Sequence, residues 1–419
     1  MREMKNSGIE WIGKIPKEWG IVKFKYLHNG LNTGEAIDKE YWESDAGLNA
    51  FYTAGLTPIR TGYSNFPTWK ETGENDLLLA RNGTPYVYLP VSKAYYTDHI
   101  IRAAMSSLVN RRFIRYCLQQ SIASIAVDSV SIPTWSATLW NNQILTWPSV
   151  IEQERIAAFL DAECAEIDAV LEKTRASIEE YKKLKQAVIT QAVTKGIRGD
   201  RPMKDSGIEW IGDIPAGVPI SRVGLHFDIV LGKMLCSAPV DDNYTLESYY
   251  CAADVHFEGL SNGEKKKMWF SPDEKEQYCV KNGDLLVVEG GAGAGGCAIA
   301  VSTDVPIYIQ NSIMIVRSKG ISNIRYLRYL LECLVKKGYI DVVCNKATIP
   351  HFTKDKLANV PFIVFSQNEQ EEIAEYLNEK CAGIDALIAK KQQYLTEIET
   401  YKKSLIYEYV TGKKEVHPL

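Results

Sequence analysis

One stretch constrains this chain more than any other. Residues 152–195 contain no proline and repeat their apolar side chains in alternating steps of three and four. The run passes through Leu160, Cys164, Ile167, Leu171, Thr174, Ile178, Tyr181, Lys185, Val188 and Ala192, the spacing of a helix with a coiled-coil seam. The chain carries the pattern twice: EQERIAAFLDAECAEIDAVL returns 217 positions later as EQEEIAEYLNEKCAGIDALI. The second seam is Leu377, Cys381, Ile384, Ile388, Lys391, Leu395, Ile398, Lys402, Leu405 and Tyr409, and its polar breaks fall where Thr174 and Lys185 fall in the first. At 1.5 Å per residue each helix spans roughly 66 Å, too long for a neighbouring globule of this size to cover. The two seams are therefore expected to cover each other. The alternative, two unrelated amphipathic helices on separate cores, leaves the shared polar breaks unexplained.

The repeat extends beyond the helices. MKNSGIEWIGKIP at 4–16 recurs as MKDSGIEWIGDIP at 203–215. NDLLLARNG at 75–83 matches GDLLVVEGG at 283–291, RFIRYCL at 112–118 matches RYLRYLL at 325–331, and Ile132-Pro133 matches Ile349-Pro350. The offset grows from 199 through 208 and 213 to 217, which describes one tandem duplication with insertions in the second copy. The period is far longer than that of solenoid repeats. Each globular half reads as α+β. Strands are expected at 76–80, 86–91, 284–288 and 297–301, and short amphipathic helices at 111–119 and 324–336. The domain boundaries that follow are 1–150, 151–199, 200–366 and 367–419, with TGKKEVHPL a frayed tail.

Length, 419 residues, and a hydrophobic content of 46% fit several ordinary cores. The N-terminus has no apolar signal region and no run approaches a membrane span, so a cytoplasmic protein without membrane contact is expected. The nine cysteines occur without a CxxC pair and read as reduced, mostly buried thiols. A net charge of −4 excludes a uniformly basic nucleic-acid binder but leaves local patches open.

Catalytic signatures are missing: no phosphate loop, no HExxH, no GxSxG, and six scattered histidines. Gly291, Gly293 and Gly296 satisfy GxGxxG, but CAIAVSTDVPIYI follows as strand where a dinucleotide site needs a helix, so a tight hairpin is the better account. No metal and no cofactor are expected. The residues that carry a binding hypothesis are cations and amides near turns. In the first half these are Arg60, Lys70, Arg81, Asn82 and Lys93, interleaved with Tyr63, Trp69, Tyr86 and Tyr88. The second half offers Lys265, Lys266, Lys267, Trp269, Lys346 and His351. Arg and Asn suit base edges in the major groove, and Lys suits phosphates.

The order SGIEWIG.IP, a GDLL-type strand with its hairpin, then EQE.IA opening a long helix, resembles the specificity subunit of type I restriction-modification systems, over essentially the whole chain. That resemblance implies two target-recognition domains on double-stranded DNA, one per half of a bipartite site, held apart by two antiparallel coiled-coil helices in a pseudo-twofold arrangement. It implies a subunit without chemistry of its own, on whose helices, through seam residues such as Leu160, Ile167, Leu171, Ile178, Leu377, Ile384, Ile388 and Leu395, two modification subunits dock and bring in restriction subunits. It implies too that residues 4–16 serve the second helix as 203–215 serve the first. Asn75, where the second half has Gly283, departs from the repeated pattern. Two other readings compete: a nucleotide-binding enzyme using the glycine loop 290–296, and a coiled-coil scaffold without DNA binding.

Overall fold

The structure is a computed structural model that describes residues 2–42, 47, 49–53, 55–125, 133–344 and 350–416. The first half runs β1 (Met4–Asn6), β2 (Lys14–Pro16), β3 (Gly20–Lys23), β4 (His28–Thr33), β5 (Asn49–Tyr52), β6 (Ile59–Thr61), β7 (Asp76–Ala80), β8 (Val87–Tyr88), β9 (Tyr95–Tyr96) and β10 (Ile100–Met105). Helices α1 (Arg111–Ala123) and α2 (Ala137–Asn141), strand β11 (Ile144–Trp147) and the long helix α3 (Val150–Lys195) follow. The second half runs β12 (Met203–Asp205), β13 (Asp213–Pro215), β14 (Ile220–Arg222), α4 (Val223–His226), β15 (Phe227–Leu231), β16 (Thr245–Tyr250), β17 (Val255–His256), β18 (Gly259–Leu260), β19 (Lys266–Phe270) and α5 (Pro272–Tyr278). It closes with β20 (Leu285–Val288), β21 (Cys297–Ile299), β22 (Tyr308–Ile309), β23 (Ile313–Ser318), α6 (Ile324–Lys336), α7 (Tyr339–Val343), α8 (Lys354–Ala358), β24 (Pro361–Ile363) and the long helix α9 (Gln367–Val410).

The duplication is written in the strand order. The larger sheet is β4-β10-β7-β8 in the first half and β15-β23-β20-β21 in the second, antiparallel throughout. The smaller sheet is β6-β5-β9 in one and β19-β16-β22 in the other, each with one antiparallel and one parallel pairing. The motif at 4–16 and its copy at 203–215 form the same hairpin in the same register, Met4 facing Pro16 and Met203 facing Pro215.

The chain divides into two compact units. One holds residues 1–175 with 392–419, the other 176–391, so each long helix contributes one end to each unit. In the first unit Ile12, Ile15 and Trp19 share a core with Leu160 and Cys164 of α3 and with Leu405, Ile406 and Val410 of α9. In the second unit Ile211 and Ile214 share a core with Ile189 and Val193 of α3 and with Leu377 and Cys381 of α9. The hairpin at 4–16 thus packs on the end of the second long helix as 203–215 packs on the end of the first.

The helices begin and end for the same local reasons. The Ser149 hydroxyl accepts from the Glu152 N–H at 3.3 Å, and Ser366 accepts from Glu369 at 3.3 Å, the Ser-x-x-Glu start signal in both copies. Each helix stops at a left-handed glycine, Gly196 at φ 76° and Gly412 at φ 70°. A side chain at Gly412 would meet Pro16 Cδ at 2.5 Å, so the stop also needs glycine's bulk. The tail is not frayed through residue 416. Lys413 Nζ donates to Ile12 O at 2.8 Å, Glu415 is ion-paired with Arg2, and Val416 packs on the core.

Candidate nucleic-acid interface

The GDLL-type motif owes its chemistry to the aspartate. Asp76 accepts from the Gly73 N–H at 2.7 Å and pairs with Arg102 Nε at 2.9 Å on the neighbouring strand. Asp284 accepts from the Lys281 N–H at 2.8 Å and pairs with Arg317 Nη2 at 2.7 Å. Each carboxylate closes the turn before its strand and locks the strand beside it. Burial pushes the Asp76 carboxyl above its ordinary range, against the Gly73 N–H, Arg102 and Arg111. Asn75 reaches this turn without a positive φ, whereas Gly283 sits at φ 86°, and the strand forms in both halves.

The hairpin turns that follow are crossed by the chain entering α2 or α8. In the first half the Gly83 N–H donates to Pro133 O at 3.0 Å and the Trp135 N–H to Arg81 O at 2.6 Å. In the second the Gly291 N–H donates to Pro350 O at 3.1 Å and the Phe352 N–H to Glu289 O at 2.6 Å. Arg81, Asn82 and His351 therefore stand at corresponding turns. Asn82 Nδ2 lies 2.9 Å from His99 Nδ1, and Arg81 Nη1 donates to Asp98 O at 3.4 Å, which gathers Arg81, Asn82 and His99. His351 Nδ1 instead lies 3.8 Å from the Glu289 carboxylate. One turn thus presents an arginine and an amide where the other presents a glutamate and an imidazole. His99 was missed from sequence because its contact with Asn82 exists only once β7 and β10 are paired. Lys346 lies outside the described residues.

The small sheets hold the other candidates. Arg60 is exposed on β6, and Lys266 and Lys267 are exposed on the corresponding strand β19, opposite Tyr249 and Ser248. Successive strand residues point to opposite faces, so the lysines do not form one patch. Lys267 shares its face with Trp269, while Lys266 shares the side of buried Met268. Lys93 is exposed at φ 59°, its N–H held by Thr72 O at 2.9 Å. Trp69 is exposed, whereas Tyr63 packs edge-on against Phe66 and Tyr88 is buried, its phenol pushed up to about 12 by burial with Tyr86 beside it.

Two candidates are committed to the fold. Lys265 Nζ donates to Ser261 O at 2.7 Å, Ser261 Oγ at 2.9 Å, Gly263 O at 3.0 Å and Asp254 Oδ1 at 3.0 Å. Asp254 is held below its ordinary range: burial would raise it, but the Cys251 N–H, Ser261 and Lys265 outweigh that. Lys70 Nζ donates to Gly34 O at 2.8 Å and to the Glu35 carboxylate. The second half keeps this link with its charges exchanged, Lys233 after Gly232 pairing with Glu274. The Lys265 ammonium has acceptors for all three of its donors, and Lys70, its side chain 12% exposed, gives two of its three to Gly34 O and Glu35, so both are held by the fold.

Seam residues Leu160, Leu171, Ile178, Leu377 and Ile384 are buried, and Ile167, Ile388 and Leu395 are half-buried. A docking protein would therefore meet the outer faces of the helices and not these side chains. In the first unit Lys402 Nζ donates to Asp168 at 2.6 Å and Arg175 pairs with Glu399 at 2.7 Å, so the helix segments run in opposite directions. In the second unit Lys185 Nζ pairs with Asp385 at 2.7 Å. The polar seam breaks Lys185 and Lys402 are thus explained: each ammonium leaves the seam for an aspartate that is the other's counterpart, 217 positions on. The bases repeat the same exchange, Arg2 pairing with Glu152 and Arg201 with Glu369.

The glycine loop 290–296 is the turn between β20 and β21, with Leu285 facing Ile299 and Val287 facing Cys297. A strand and not a helix follows it, so the helix N-terminus that would hold a pyrophosphate is missing at this loop. Burial pushes the Cys117 and Cys297 thiols up to about 12, which removes them as nucleophiles. Among the described residues no group of His, Cys, Asp and Glu could hold a metal ion, and no helix is long and apolar enough to cross a membrane.

A family model for the type I restriction modification DNA specificity domain matches residues 258–397. Comparison with curated protein sequences finds no match. Among solved structures, one described as the structural basis of complex assembly and conformational transition of the type I R-M system has the same fold, with a TM-score of 0.69 and 16% identity over 96% of this chain and 99% of that one. The HsdS subunit from Thermoanaerobacter tengcongensis gives a TM-score of 0.49 and 16% identity over 96% of this chain and 98% of that chain. Neither the nucleotide-binding nor the scaffold reading finds support in these matches. Residues 258–397 thus match a type I restriction modification DNA specificity domain, and the chain as a whole shares its fold with a structure from a type I R-M system.

Proposed function

We propose that each half of this chain reads one half of a bipartite DNA site and that the two long helices form an antiparallel coiled coil between them. The observation that carries the reading is the exchanged ion pair. Asp168 with Lys402 and Asp385 with Lys185 are one contact made twice with the partners interchanged, as a pseudo-twofold axis from duplication requires. Arg2 with Glu152 and Arg201 with Glu369 repeat it. Two complete sets of sheets, each with its own core, support two independent reading heads. The domain limits on this reading are 1–150, 151–199, 200–366 and 367–419.

DNA contacts fall to Arg60, Arg81, Asn82 and Lys93 in the first half and to Lys266, Lys267, His351 and Lys346 in the second. The turns differ in chemistry, Arg81 and Asn82 against Glu289 and His351, which suits heads that read different base edges. Two modification subunits dock along the helices and restriction subunits join through them, all in the cytoplasm. The structure that shares this fold concerns assembly of a type I R-M system, which supports the same kind of assembly here. The test is to express the chain with its modification subunit and read methylated bases from genomic DNA. A two-part motif with a fixed non-specific gap is expected, and a single contiguous motif would overturn the reading.

A further inference from the structure

The two halves differ beside the short helices α1 and α6. Their larger sheets correspond pair by pair: Tyr88 faces Leu78 as Ala298 faces Leu286, and the Ala80 N–H donates to Tyr86 O at 2.9 Å as the Val288 N–H donates to Gly296 O at 2.8 Å. Tyr86 and Tyr88 therefore stand where the second half has Gly296 and Ala298. The connection beyond β5 differs as well. Residues 53–58 lead directly to β6, whereas the longer run 251–265 between β16 and β19 forms the hairpin β17–β18. In the second half that hairpin covers the two small residues. A Cβ on Gly296 would stand 3.8 Å from Val255 O, and Val255 and Leu260 pack in one core with Ala298. Beside them Arg328 of α6 donates to Phe257 O and pairs with Glu332 at 3.2 Å.

The first half carries no such insertion, and a pocket of about 240 Å³ opens at the corresponding place. Tyr52, Leu56, Tyr86, Tyr88, Arg115 and Gln119 line it. Arg115 is the counterpart of Arg328, and Gln119 of Glu332, 213 positions on. The tyrosines form an aromatic wall, the Tyr88 ring centroid 5.8 Å from that of Tyr52 and 5.9 Å from that of Tyr86. Two polar groups of the pocket lack a hydrogen-bond partner among the described residues: the hydroxyl of Tyr88, a residue only 7% exposed, and the buried Nε of Arg115. Buried polar groups are otherwise hydrogen-bonded almost without exception, so two orphans in one pocket call for a missing partner. The carboxylate that Arg115 does meet is Asp161 of α3, 3.2 Å from Nη2. Where Arg328 has the Phe257 carbonyl and the Glu332 carboxylate, Arg115 has the open pocket and the neutral Gln119.

We propose that this pocket binds a small aromatic carboxylate, its ring against Tyr52, Tyr86 and Tyr88 and its oxygens on Arg115 and the Tyr88 hydroxyl. The ligand brings from outside what the second half carries within itself, the ring and carbonyl of Phe257 and the carboxylate of Glu332. The volume agrees: it lies below the roughly 300 Å³ at which sites for drug-sized ligands begin and suits a single ring with a short acidic arm. Edge-on or offset ring packing and a charge-assisted hydrogen bond are what the wall offers. The carboxylate belongs to a free acid or to a chain that ends in an aromatic residue. The inference does not rest on the proposed function.

The test titrates the full chain with 3-phenylpropionate, with the peptide Gly-Gly-Phe and with the neutral 3-phenylpropionamide, read by saturation-transfer NMR and calorimetry. Saturable binding of an anion with a millimolar or tighter Kd is expected, and the amide is expected to bind at least about 10-fold more weakly. The tighter of the two anions identifies the source. Y88F removes only the orphan hydroxyl. It is expected to weaken binding roughly 3- to 10-fold, while the melting temperature of the free chain stays at or above that of wild type. Q119E puts a carboxylate beside Arg115 as Glu332 stands beside Arg328, and it is expected to weaken binding at least about 10-fold by taking the ligand's place. Absence of saturable binding by either anion, equal binding of the amide, or unchanged binding in both variants would overturn the inference.

Discussion

Gln153 and Gln370 offer a test of the duplication in energetic terms. Each is almost wholly buried at the start of a long helix. Gln370 Nε2 donates to Phe365 O at 2.7 Å while its Oε1 accepts from the Asn323 N–H at 2.8 Å, which fixes the first turn of α6 against α9. Gln153 does the same with Pro148 O at 3.1 Å and the Asn110 N–H at 3.2 Å, fixing α1 against α3. Replacing Gln370 by leucine keeps the volume and leaves the buried Phe365 C=O and the part-buried Asn323 N–H without their partner. Each orphan costs about 1–3 kcal/mol. The added apolar burial returns roughly 1 kcal/mol. The expected net loss is therefore about 1–5 kcal/mol, which is roughly 5- to 5,000-fold in a local opening equilibrium. Hydrogen exchange read by mass spectrometry is the assay. Q370L is expected to speed exchange by that factor in residues 323–336 and leave 110–123 unchanged, and Q153L is expected to do the reverse. Equal acceleration in both helices from either variant, or a change under threefold, would refute the argument that each half is clamped independently by its own glutamine.

The lysines of the second half separate by role. K266A with K267A is expected to weaken DNA binding across sequences and to reduce the salt slope by about 1, because the two side chains leave opposite faces of β19 and only one faces a given backbone, whereas K265A is expected to lower the melting temperature and leave the slope unchanged; a slope that falls with K265A alone would reverse the assignment. The pH dependence near Asp254 has a definite sign. Its carboxyl is held below the ordinary value of 3.8 by the Cys251 N–H, Ser261 and Lys265 against the opposing effect of burial. Its contribution to stability is therefore full above that value and lost as pH falls through the lower folded one. D254N is expected to flatten the acid limb of the stability curve, and an acid limb identical to wild type would remove Asp254 from that account.

The long helices were legible because ten seam positions repeat at one period and twice over, and all ten in each copy are buried or half-buried. Strand β7 was legible to the residue, since five apolar or acidic side chains follow a turn and end at another. The small sheets were not. Their parallel pairings join Phe51 to Tyr95 and Tyr249 to Tyr308, two-residue contacts between distant segments that leave no local pattern. For the same reason Lys70 and Lys265 look like surface cations: the carboxylates that hold them come from 35 and 11 positions away. The end of the chain reads as a polar tail because its partners lie at the other terminus, as with Lys413 and Ile12, 401 positions apart. In the candidate site, types of residue were legible at the turns, but which of them stand together was not, because Asn82 meets His99 only across paired strands.

The central claim is that each half reads its own part of the DNA site. It is tested most directly by replacing residues 217–350 with the equivalent block of another specificity subunit, expressing the chimera with the modification subunit, and sequencing methylated bases in genomic DNA. The account predicts a motif in which one half-site changes to the donor's while the other half-site and the gap between them stay as in wild type. A motif altered in both half-sites, from a chimera that still methylates, would contradict it.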